Sequence, residues 1–430
     1  MTTQKPVSSG SSVSARTVTT PAGHQVSYNS SGHLSAMTTN RGTTASFNAR
    51  GQVSTIHTAN GATITDGPGG VRTIHSEHIS PNGARYQVVS TGAHAGYVQH
   101  TYTRGGQTFV RRTYVSPGRT HVAVYQTRYY GGRAYYAYVP AYYYGPGFYG
   151  WAYNPWYAPA YYAWGWYDDP WYAPYGYYFS PYSVYPSAAY WLTDYVVSES
   201  LRAAFESRPS VNAEVSEETI GYQPEAQTSE VAMTPQIKQM IADEVKAELA
   251  AERSEAQNTS FDAIPAPQQA TNNAALPPAL NPNTRAFIVA TSMEVSVNGE
   301  SCALSPGDVL NRTEDTPDGS NTVAVTVVSS QKSDCRMGSA PRLQVANLQE
   351  MHNRFREKMD RGLNTLANNQ GKGGIPSGPK ADLLANPNGT ADVELNARAE
   401  IESQGADADQ AEKEVMDAQT SAASTSGGSK

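Results

Sequence analysis

Residues 125–195 constrain the fold of this chain more than any other stretch, because aromatic residues dominate them. They include all 6 tryptophans of the 430-residue sequence and most of its 29 tyrosines, and residues 134–167 carry no charge. Prolines recur within that uncharged run, so it can form neither a membrane-spanning helix nor a regular central strand. The pattern predicts a compact, irregular aromatic block over residues 141–206 that ends in a helix, residues 187–205.

Two interpretations of the aromatic block remain open at this point. In the first, the rings pack edge to face as a core, and each pair adds roughly 0.5–1.5 kcal/mol beyond the burial of its area. In the second, flat rings form an aromatic platform for a sugar, a membrane interface or a partner protein. The candidate contact residues of this platform are interrupted by proline-fixed turns, and they are Trp151, Trp156, Trp164, Trp166 and Trp171.

Glycines repeat with a fixed period in the N-terminal region. Two sets are spaced 19 residues apart, namely Gly23, Gly42, Gly61 and Gly32, Gly51, Gly70. Short alternating strands between glycine turns are typical of a β-meander or of hairpin repeats. In their local hairpin, with a tyrosine at Tyr28, these units resemble the YD or RHS-type repeats of bacterial surface proteins. The sequence therefore predicts a disordered segment 1–20 and a β-repeat or meander domain over residues 21–140.

The last part of this domain is rich in arginine and tyrosine. Its alternation predicts four strands, at residues 97–103, 107–115, 120–129 and 133–139. Arginines interleaved with aromatic residues also occur in sheets that bind nucleic acid. Because residues 95–140 lack lysine and show no RNP, KH or OB signature, no nucleic-acid partner is predicted.

Histidine is concentrated in the N-terminal region, where His75 and His78 flank Ser76 and Glu77. This turn offers two metal ligands, whereas a closed zinc site needs four. No third ligand accompanies them at a tight spacing, so exposed loop histidines are the simpler interpretation. The sequence therefore predicts no metal site and no cofactor.

A linker with one helix follows the aromatic block. Residues 207–283 predict this linker, and residues 235–253 within it predict an amphipathic helix. Its apolar stripe runs from Ile237 to Leu249, and acidic residues and lysine line the other face. Such a stripe must pack on a neighbour or on a second copy of the chain, so self-association through this helix is one expectation.

A small β domain and a tail complete the chain. Residues 284–367 predict a barrel-like domain of six strands with a closing helix, which Asn347 and Glu350 cap. Residues 368–430 predict a disordered acidic tail with one weak helix near residues 391–418. The expected fold class is therefore mainly β with a few helices, joined by disordered linkers.

Both cysteines, Cys302 and Cys335, fall in the small β domain. A disulfide between them would indicate an oxidising compartment, whereas two buried thiols would indicate a reducing one. The bridge is predicted, and closing a loop of about 33 residues would stabilise the fold by roughly 3–4 kcal/mol. The alternative, a thiol nucleophile that uses His352, lacks a third orienting group at a recognisable spacing.

Charge is unevenly distributed along the chain. Residues 1–125 contain ten basic residues against two acidic ones, whereas the whole chain has a net charge of −7. A basic head on an acidic body predicts either docking of one part on the other or an anionic partner such as a wall polymer. Composition favours an exported protein, although the N-terminus shows no apolar signal-peptide core, which leaves a cytoplasmic location as the alternative.

Three stretches together resemble a family of uncharacterised bacterial exported or envelope proteins. They are the Tyr/Trp-rich run FYGWAYNPW through WLTDY, the segment CALSPGDVL and the segment LQEMHNRFREKMDRGL. The resemblance extends from the repeats to the C-terminal helix. It implies an architecture, and it transfers no catalytic residue to this chain.

No catalytic signature is visible, so the sequence predicts a non-enzymatic exported protein of the cell envelope or surface. Its aromatic block would contact cell-wall glycan, a membrane surface or a protein partner. The alternative is a polysaccharide hydrolase with carboxylates near the tryptophans, at Asp168, Asp169 or Asp194. Asp168 and Asp169 are adjacent and in an extended stretch point to opposite sides, which favours a simple turn.

Overall fold

A computed structural model describes residues 16–48, 51–66, 71–92, 95–207, 232–261, 276–332 and 334–426. The helices in these ranges are α1 Pro146–Tyr153, α2 Ala188–Glu206, α3 Pro235–Phe261, α4 Val345–Asn369 and α5 Ala397–Ser426. The strands of the N-terminal half are β1 Arg16–Thr19, β2 Gln25–Tyr28, β3 Leu34–Thr38, β4 Thr44–Phe47, β5 Val53–His57, β6 Thr63–Asp66, β7 Arg72–Ile79, β8 Arg85–Thr91, β9 Ala95–Arg104, β10 Gln107–Ser116, β11 Arg119–Tyr130, β12 Arg133–Val139 and β13 Tyr142–Tyr144. Those of the C-terminal half are β14 Ala286–Ile288, β15 Met293–Val297, β16 Glu300–Leu304, β17 Val309–Arg312, β18 Thr322–Ser329, β19 Arg342–Gln344 and β20 Leu383–Ala385.

Strands β1 to β12 form one antiparallel meander in which each strand pairs with its neighbours along the chain. The fold is therefore mainly β, as the sequence predicts. The four strands expected in residues 97–139 are confirmed as β9 to β12, each within a few residues of its expected bounds. Residues 16–19, expected to be disordered, instead form β1, because they pair with β2 from Arg16↔Tyr28 to Thr19↔Gln25.

One turn geometry recurs six times in this meander. At the first turn, Gly23 N–H donates to the Thr20 carbonyl (2.9 Å) and Thr20 N–H donates to the His24 carbonyl (2.8 Å). Gly23 has φ = 84°, which a residue with a Cβ rarely adopts. The same pair of bonds recurs at the turns that begin at Asn29, Thr39, Asn48, Thr58 and Ser80.

The first residue of these turns also uses its side chain. Thr20 Oγ1 accepts from His24 N–H at 3.1 Å, and Asn29 Oδ1 accepts from His33 N–H at 2.9 Å. Thr39, Asn48 and Thr58 bond in the same way to the residue four positions on. Serine, threonine and asparagine favour turns for this reason. The glycine period predicted the turns, but the hydrogen-bonding residue three positions before each glycine was missed.

An apolar ladder crosses the first half of the sheet. In register from β2 to β7 stand Val26, Met37, Ala45, Ile56, Ile64 and Ile74. Helix α5 covers this ladder with small side chains, including Ala408, Ala411, Val415, Ala418 and Ala422. The weak helix expected near residues 391–418 of the tail is a 30-residue helix in the structure, and its stripe of alanines lies close against a sheet.

The basic N-terminal region docks on this acidic helix. Arg41 pairs with Glu414 at 2.8 Å, and Arg72 pairs with Glu412 at 3.2 Å. Of the two explanations offered for the uneven charge, the structure shows docking of one part of the chain on the other. These exposed or half-exposed pairs contribute little each, typically under about 1 kcal/mol.

The other face of the sheet, at β9 to β12, packs against α4. Arg112 on β10 is buried there, with its guanidinium over the rings of Tyr125 (4.6 Å) and Tyr97 (4.8 Å). It pairs with Glu350 of α4 at 2.7 Å. The arginine–tyrosine pattern of this region therefore includes intramolecular cation–π packing.

Helices α1 to α4 pack together beside the sheet and share one core with the aromatic block. Ile241, Val245 and Leu249 of the apolar stripe of α3 are fully buried within the chain, whereas Met240 is half-buried. Most of the stripe thus packs within the chain, and self-association through this helix stays a prediction. Helix α4 begins at Val345, so Asn347 lies inside the helix and the expected capping box does not form.

The small β domain contains all six expected strands. Strands β14, β17, β18 and β19 form one sheet, and β15 pairs with β16 in a separate hairpin. Over the described residues these two sheets do not close into a barrel, so the barrel-like expectation is not met. Leu280, expected to lie in a linker, is fully buried in this domain's core. The predicted disulfide between Cys302 and Cys335 is present, with Cα atoms 5.0 Å apart.

Several expected segments lie outside the described residues. These are the first fifteen residues of the expected disordered segment and most of the linker on either side of α3, residues 208–231 and 262–275.

Candidate functional site

Outside its helices, the aromatic block has backbone hydrogen bonds that form turns, such as those from Tyr172 N–H to the Asp169 carbonyl (3.0 Å) and from Tyr178 N–H to the Tyr175 carbonyl (2.9 Å). Trp156 N–H donates to the Pro186 carbonyl at 2.8 Å. Ala160 and Tyr185 exchange two bonds of 2.9 Å and so close a long loop between α1 and α2. Between these points the backbone hydrogen bonds form successive turns, and side chains join these turns to the rest of the core.

Contacts between aromatic rings also hold the aromatic block together. Trp164 stacks on Trp191 of α2 with ring centroids 5.0 Å apart, and it also contacts Trp166 at 5.4 Å. Trp166 contacts Trp171 at 5.2 Å, which extends the chain of rings. The indole Nε1 of Trp164 donates to the hydroxyl of Tyr185 at 2.6 Å. The core interpretation of the block thus describes most of its tryptophans.

The five tryptophans expected to form the platform are mostly inside this core. Trp156 and Trp164 are 7% exposed and Trp171 is 5% exposed. Trp151 and Trp166 are half-buried. The structure therefore places these rings together, with only two of them reaching the surface, and their part in binding stays a prediction.

The exposed rings of the block are tyrosines. Tyr157 is fully exposed, Tyr161 is 75% exposed, and Tyr167 and Tyr153 are about half exposed. All four lie within residues 153–167, which α1 and the tryptophan core hold in place. Sequence reasoning missed them because tyrosine is abundant throughout the block. Their position beside prolines and buried tryptophans was the available signal.

A C-terminal segment supports this loop from behind. Gly374 has φ = 89° and lies so close to the Tyr161 carbonyl that an added Cβ would stand 1.8 Å from the oxygen. At Gly378 an added Cβ would stand 2.8 Å from the indole ring of Trp151. Both positions therefore require glycine, and the contact holds the exposed loop against the rest of the chain.

The carboxylates of the hydrolase alternative are differently placed. Asp194 is fully buried, pairs with Lys238 at 2.8 Å and accepts from Tyr185 Oη at 2.8 Å. Burial raises the pKa of Asp194, and Lys238 opposes that shift. Asp169 is half-buried and accepts from Trp171 Nε1 at 3.2 Å, whereas Asp168 is exposed. Only Asp168 is thus freely open to solvent.

A second cluster, the interhelical acid cluster, lies between α3 and α4. Four glutamates follow one face of α3, at Glu244, Glu248, Glu252 and Glu255. The first three are 5% exposed or less. Sequence reasoning placed the acids of this helix toward solvent, which is wrong for these residues. The spacing of three to four residues was the signal, and α4 supplies what the sequence pattern could not show.

One arginine forms ion pairs with three of the four glutamates in this cluster. Arg356 of α4 lies 2.9 Å from Glu255, 3.4 Å from Glu248 and 3.6 Å from Glu252. Tyrosine hydroxyls add further donors, since Tyr149 donates to Glu252 and Tyr143 donates to Glu255, each at 3.2 Å. Among the described residues no salt bridge reaches Glu244.

Three groups at one end of this cluster converge. Ligand atoms of Glu244, Glu248 and His352 all lie within 4.8 Å of one another, and all three side chains are buried. His352 Nδ1 is 3.6 Å from Glu248 Oε1. One oxygen of Glu244, Oε2, accepts from the backbone N–H of Arg285 at 2.8 Å.

Burial shifts the protonation of this end of the cluster. It raises the pKa of Glu244 to about 8, with a further contribution from the charge of Glu248. It raises the pKa of Glu248 to about 7, which Arg356 opposes. Burial, assisted by Arg356, lowers the pKa of His352 to about 3, so the imidazole is neutral.

Comparison with known proteins identifies no relative of this chain, since no family model, no curated protein and no solved structure matches it. The resemblance to exported bacterial proteins therefore stays a prediction.

The histidine pair considered in the sequence is not a joint site. His75 and His78 lie on strand β7 rather than on a turn. Residues three apart on a strand point to opposite faces. His78 Nε2 instead bonds Ser76 Oγ at 2.7 Å, and its ring stacks on Tyr86.

Two further arginines of β10 and β11 pair with acidic residues within the chain. Arg111 contacts Glu394 at 3.0 Å, and Arg119 contacts Glu199 and Glu206 at 3.0 Å each.

Among the described residues, none of the helices combines the length and apolarity that crossing a bilayer requires.

Proposed function

We propose that this chain is a non-enzymatic exported protein of the cell envelope that binds cell-wall glycan through its aromatic block. The observation that carries the proposal is the set of exposed tyrosines in residues 153–167, above all Tyr157 and Tyr161. Exposed aromatic rings pack against the C–H faces of sugars, and their hydroxyls bond to sugar hydroxyls. Buried rings would do neither.

The tryptophan core supports this role by holding the loop in one shape. A loop that is ordered before binding loses less conformational entropy when it binds. Trp166 contacts Tyr167 at 5.1 Å, and Gly374 brings the C-terminal segment against Tyr161. Half-buried Trp151 and Trp166 are the two tryptophans able to add to such a contact. In this proposal the other tryptophans position the tyrosines.

The disulfide supports export. Bridges persist in oxidising compartments and are rare in the cytosol. Cys302 is half-buried and Cys335 is fully buried, so the bridge belongs to the core of the small β domain.

Glycan binding is favoured over hydrolysis because the buried carboxylate of Asp194 already forms an ion pair with Lys238. Asp194 is closed to solvent and engaged by Lys238, so it cannot reach a polysaccharide in this structure.

The test is retention of the purified protein by insoluble peptidoglycan in a sedimentation assay. We expect the double variant Tyr157→Ala/Tyr161→Ala to lose most retention while its melting temperature stays unchanged, because both rings are exposed. Tyr129→Ala is the matched control, since Tyr129 is 61% exposed on β11, outside the block. It should bind as the wild-type protein does.

Two results would contradict the proposal. Equal retention of the double variant and the wild type would remove the tyrosines from the interface. Sedimentation with liposomes in place of peptidoglycan, lost in the same double variant, would show a membrane surface as the partner.

A further inference from the structure

At the Glu244 end of the interhelical acid cluster, the carboxylates are not all balanced by nearby cationic side chains. Arg356 is shared among Glu248, Glu252 and Glu255, while Glu244 has no ion pair among the described residues. An unpaired carboxylate buried in a protein is unstable unless it is protonated or meets a cation. The geometry of this end therefore matters.

Two atoms there lack hydrogen-bond partners within the described part of the chain. They are Glu244 Oε1 and His352 Nε2, and each residue is only 3% exposed. Buried polar atoms are nearly always bonded, so each of these two unbonded atoms requires an explanation. A group that accepts electron pairs from all three side chains would supply one.

We propose that Glu244, Glu248 and His352 bind one divalent transition-metal ion, with zinc as the best match. Two carboxylates and one imidazole form a mixed oxygen–nitrogen ligand set, which suits zinc and its neighbours better than magnesium or calcium. Metal–ligand bonds of about 2.1 Å in a tetrahedron place ligand atoms roughly 3.4 Å apart. The observed limit of 4.8 Å leaves a gap that small side-chain rotations close.

The outer contacts of the site are already in place. Glu244 is oriented by the backbone N–H groups of Arg285 (2.8 Å) and Ala286 (3.2 Å), which lead into β14. Such second contacts fix ligand orientation in metal sites. The ion would join α3, α4 and, through Glu244, the first strand of the small β domain. Three side chains leave the fourth position of a tetrahedral zinc ion to a water molecule. Because all three ligands are buried, the ion would serve to hold these elements together.

The test uses the full-length protein after treatment with EDTA and dialysis. Titration with ZnCl2 by calorimetry should show one equivalent bound, and the melting temperature should rise with zinc concentration. The same concentration of CaCl2 should leave the melting temperature unchanged. Absence of stoichiometric zinc binding would overturn the proposal, as would an equal response to calcium.

Matched variants locate the site. Glu248→Gln and His352→Gln should each weaken zinc binding roughly 100-fold or more, since both remove a direct ligand. Glu252→Gln changes a glutamate one turn along the same buried face and should bind zinc as the wild type does. The double variant His75→Gln/His78→Gln should also bind normally. Zinc binding that survives in both ligand variants, or disappears in the histidine double variant, would overturn the proposal.

A spectroscopic measurement keeps the test decisive if the ligand variants do not fold. X-ray absorption of the wild-type protein with one equivalent of Co2+ reports the donor atoms directly. One imidazole with oxygen donors supports the site, whereas two or more imidazoles would assign the metal to surface histidines and overturn the proposal.

Discussion

The side chain of Gln404 on α5 donates to the carbonyl of Val88 on β8 at 2.8 Å, and so joins the last helix of the chain to the centre of its large sheet. The same amide donates to Ser76 Oγ at 2.7 Å and accepts from Ser90 Oγ. Gln404, Val88, Ser76 and Ser90 are all buried.

We expect Gln404→Ala to lower the free energy of unfolding by about 1–3 kcal/mol, because it leaves buried donors and acceptors unpaired. Gln410→Ala, on the exposed side of the same helix, should change it by less than about 0.5 kcal/mol. Urea unfolding followed by circular dichroism measures both. Equal stability of the two variants would show that α5 does not depend on this contact.

The tryptophan core and the tyrosine surface should respond differently to truncation. Trp164→Ala removes a ring that is 7% exposed and should cost about 3–5 kcal/mol of stability. Tyr157→Ala removes a fully exposed ring and should leave the melting temperature nearly unchanged. Thermal unfolding compares them. Strong destabilisation by Tyr157→Ala would mean that this loop packs elsewhere.

One substitution should have opposite effects in two helices. At Gly362 of α4, an added Cβ would stand 2.6 Å from Leu192 and 3.0 Å from Tyr195, so Gly362→Ala should destabilise by about 1–2 kcal/mol. At Gly405 of α5 no atom lies within 4 Å of an added Cβ, so Gly405→Ala should stabilise by up to about 1 kcal/mol. Denaturant unfolding gives both values, and the same sign for both would contradict the packing of α4 on α2.

Removing the disulfide should weaken the small β domain. The double variant Cys302→Ser/Cys335→Ser opens a link between residues 33 positions apart and should cost about 3–4 kcal/mol. In wild-type protein recovered without reductant, neither thiol should react with an alkylating reagent, as mass spectrometry would show. Two alkylated thiols would contradict both the bridge and the oxidising compartment.

Lys358 should make stability depend on pH. Burial, assisted by Arg361 and Arg354, lowers its folded-state pKa to about 7, and its amine donates to Ser200 Oγ at 3.0 Å. An unfolded lysine titrates near ~10.4. Between these values the unfolded chain binds a proton that the folded chain does not, so stability rises with pH by about 1.4 kcal/mol per unit from this group.

The variant Lys358→Met removes this titration. Between about pH 7.5 and 9.5 the wild-type free energy of unfolding should rise more steeply with pH than that of the variant. The difference in slope isolates Lys358 from the other titrating groups. Parallel slopes would show that the folded-state pKa of Lys358 is close to its unfolded value.

Much of the sheet could be predicted from the sequence because its turns and strands depend on residues close together in the chain. The 19-residue spacing of glycines predicted the turns, and the alternation of apolar and polar residues predicted β9 to β12. The sequence predicted only one weak helix near residues 391–418 in place of the 30-residue α5, because the buried face of α5 is mostly alanine, for example Ala408 and Ala411. Alanine is only weakly apolar, so a stripe of alanines does not by itself predict a buried helix face. The sheet against which the stripe packs is not visible in the local sequence.

The interhelical acid cluster was missed for a related reason. Glutamates along one face of a helix usually indicate that this face is exposed to solvent. Only the fold brings Arg356 and the tyrosines of the aromatic block next to them. His352, considered only as a partner for a thiol, belongs instead with Glu244 and Glu248. Long-range juxtaposition of this kind leaves no trace in local residue patterns.

The covering of the first strands by the last helix also determines the order in which the protein is completed. Arg41 meets Glu414 across 373 residues of chain, so the ladder that includes Val26 and Met37 has no cover until α5 has been synthesised. Contacts of such long range form slowly, and uncovered strands invite aggregation meanwhile. The first strands therefore stay uncovered until α5 has emerged and docked on them.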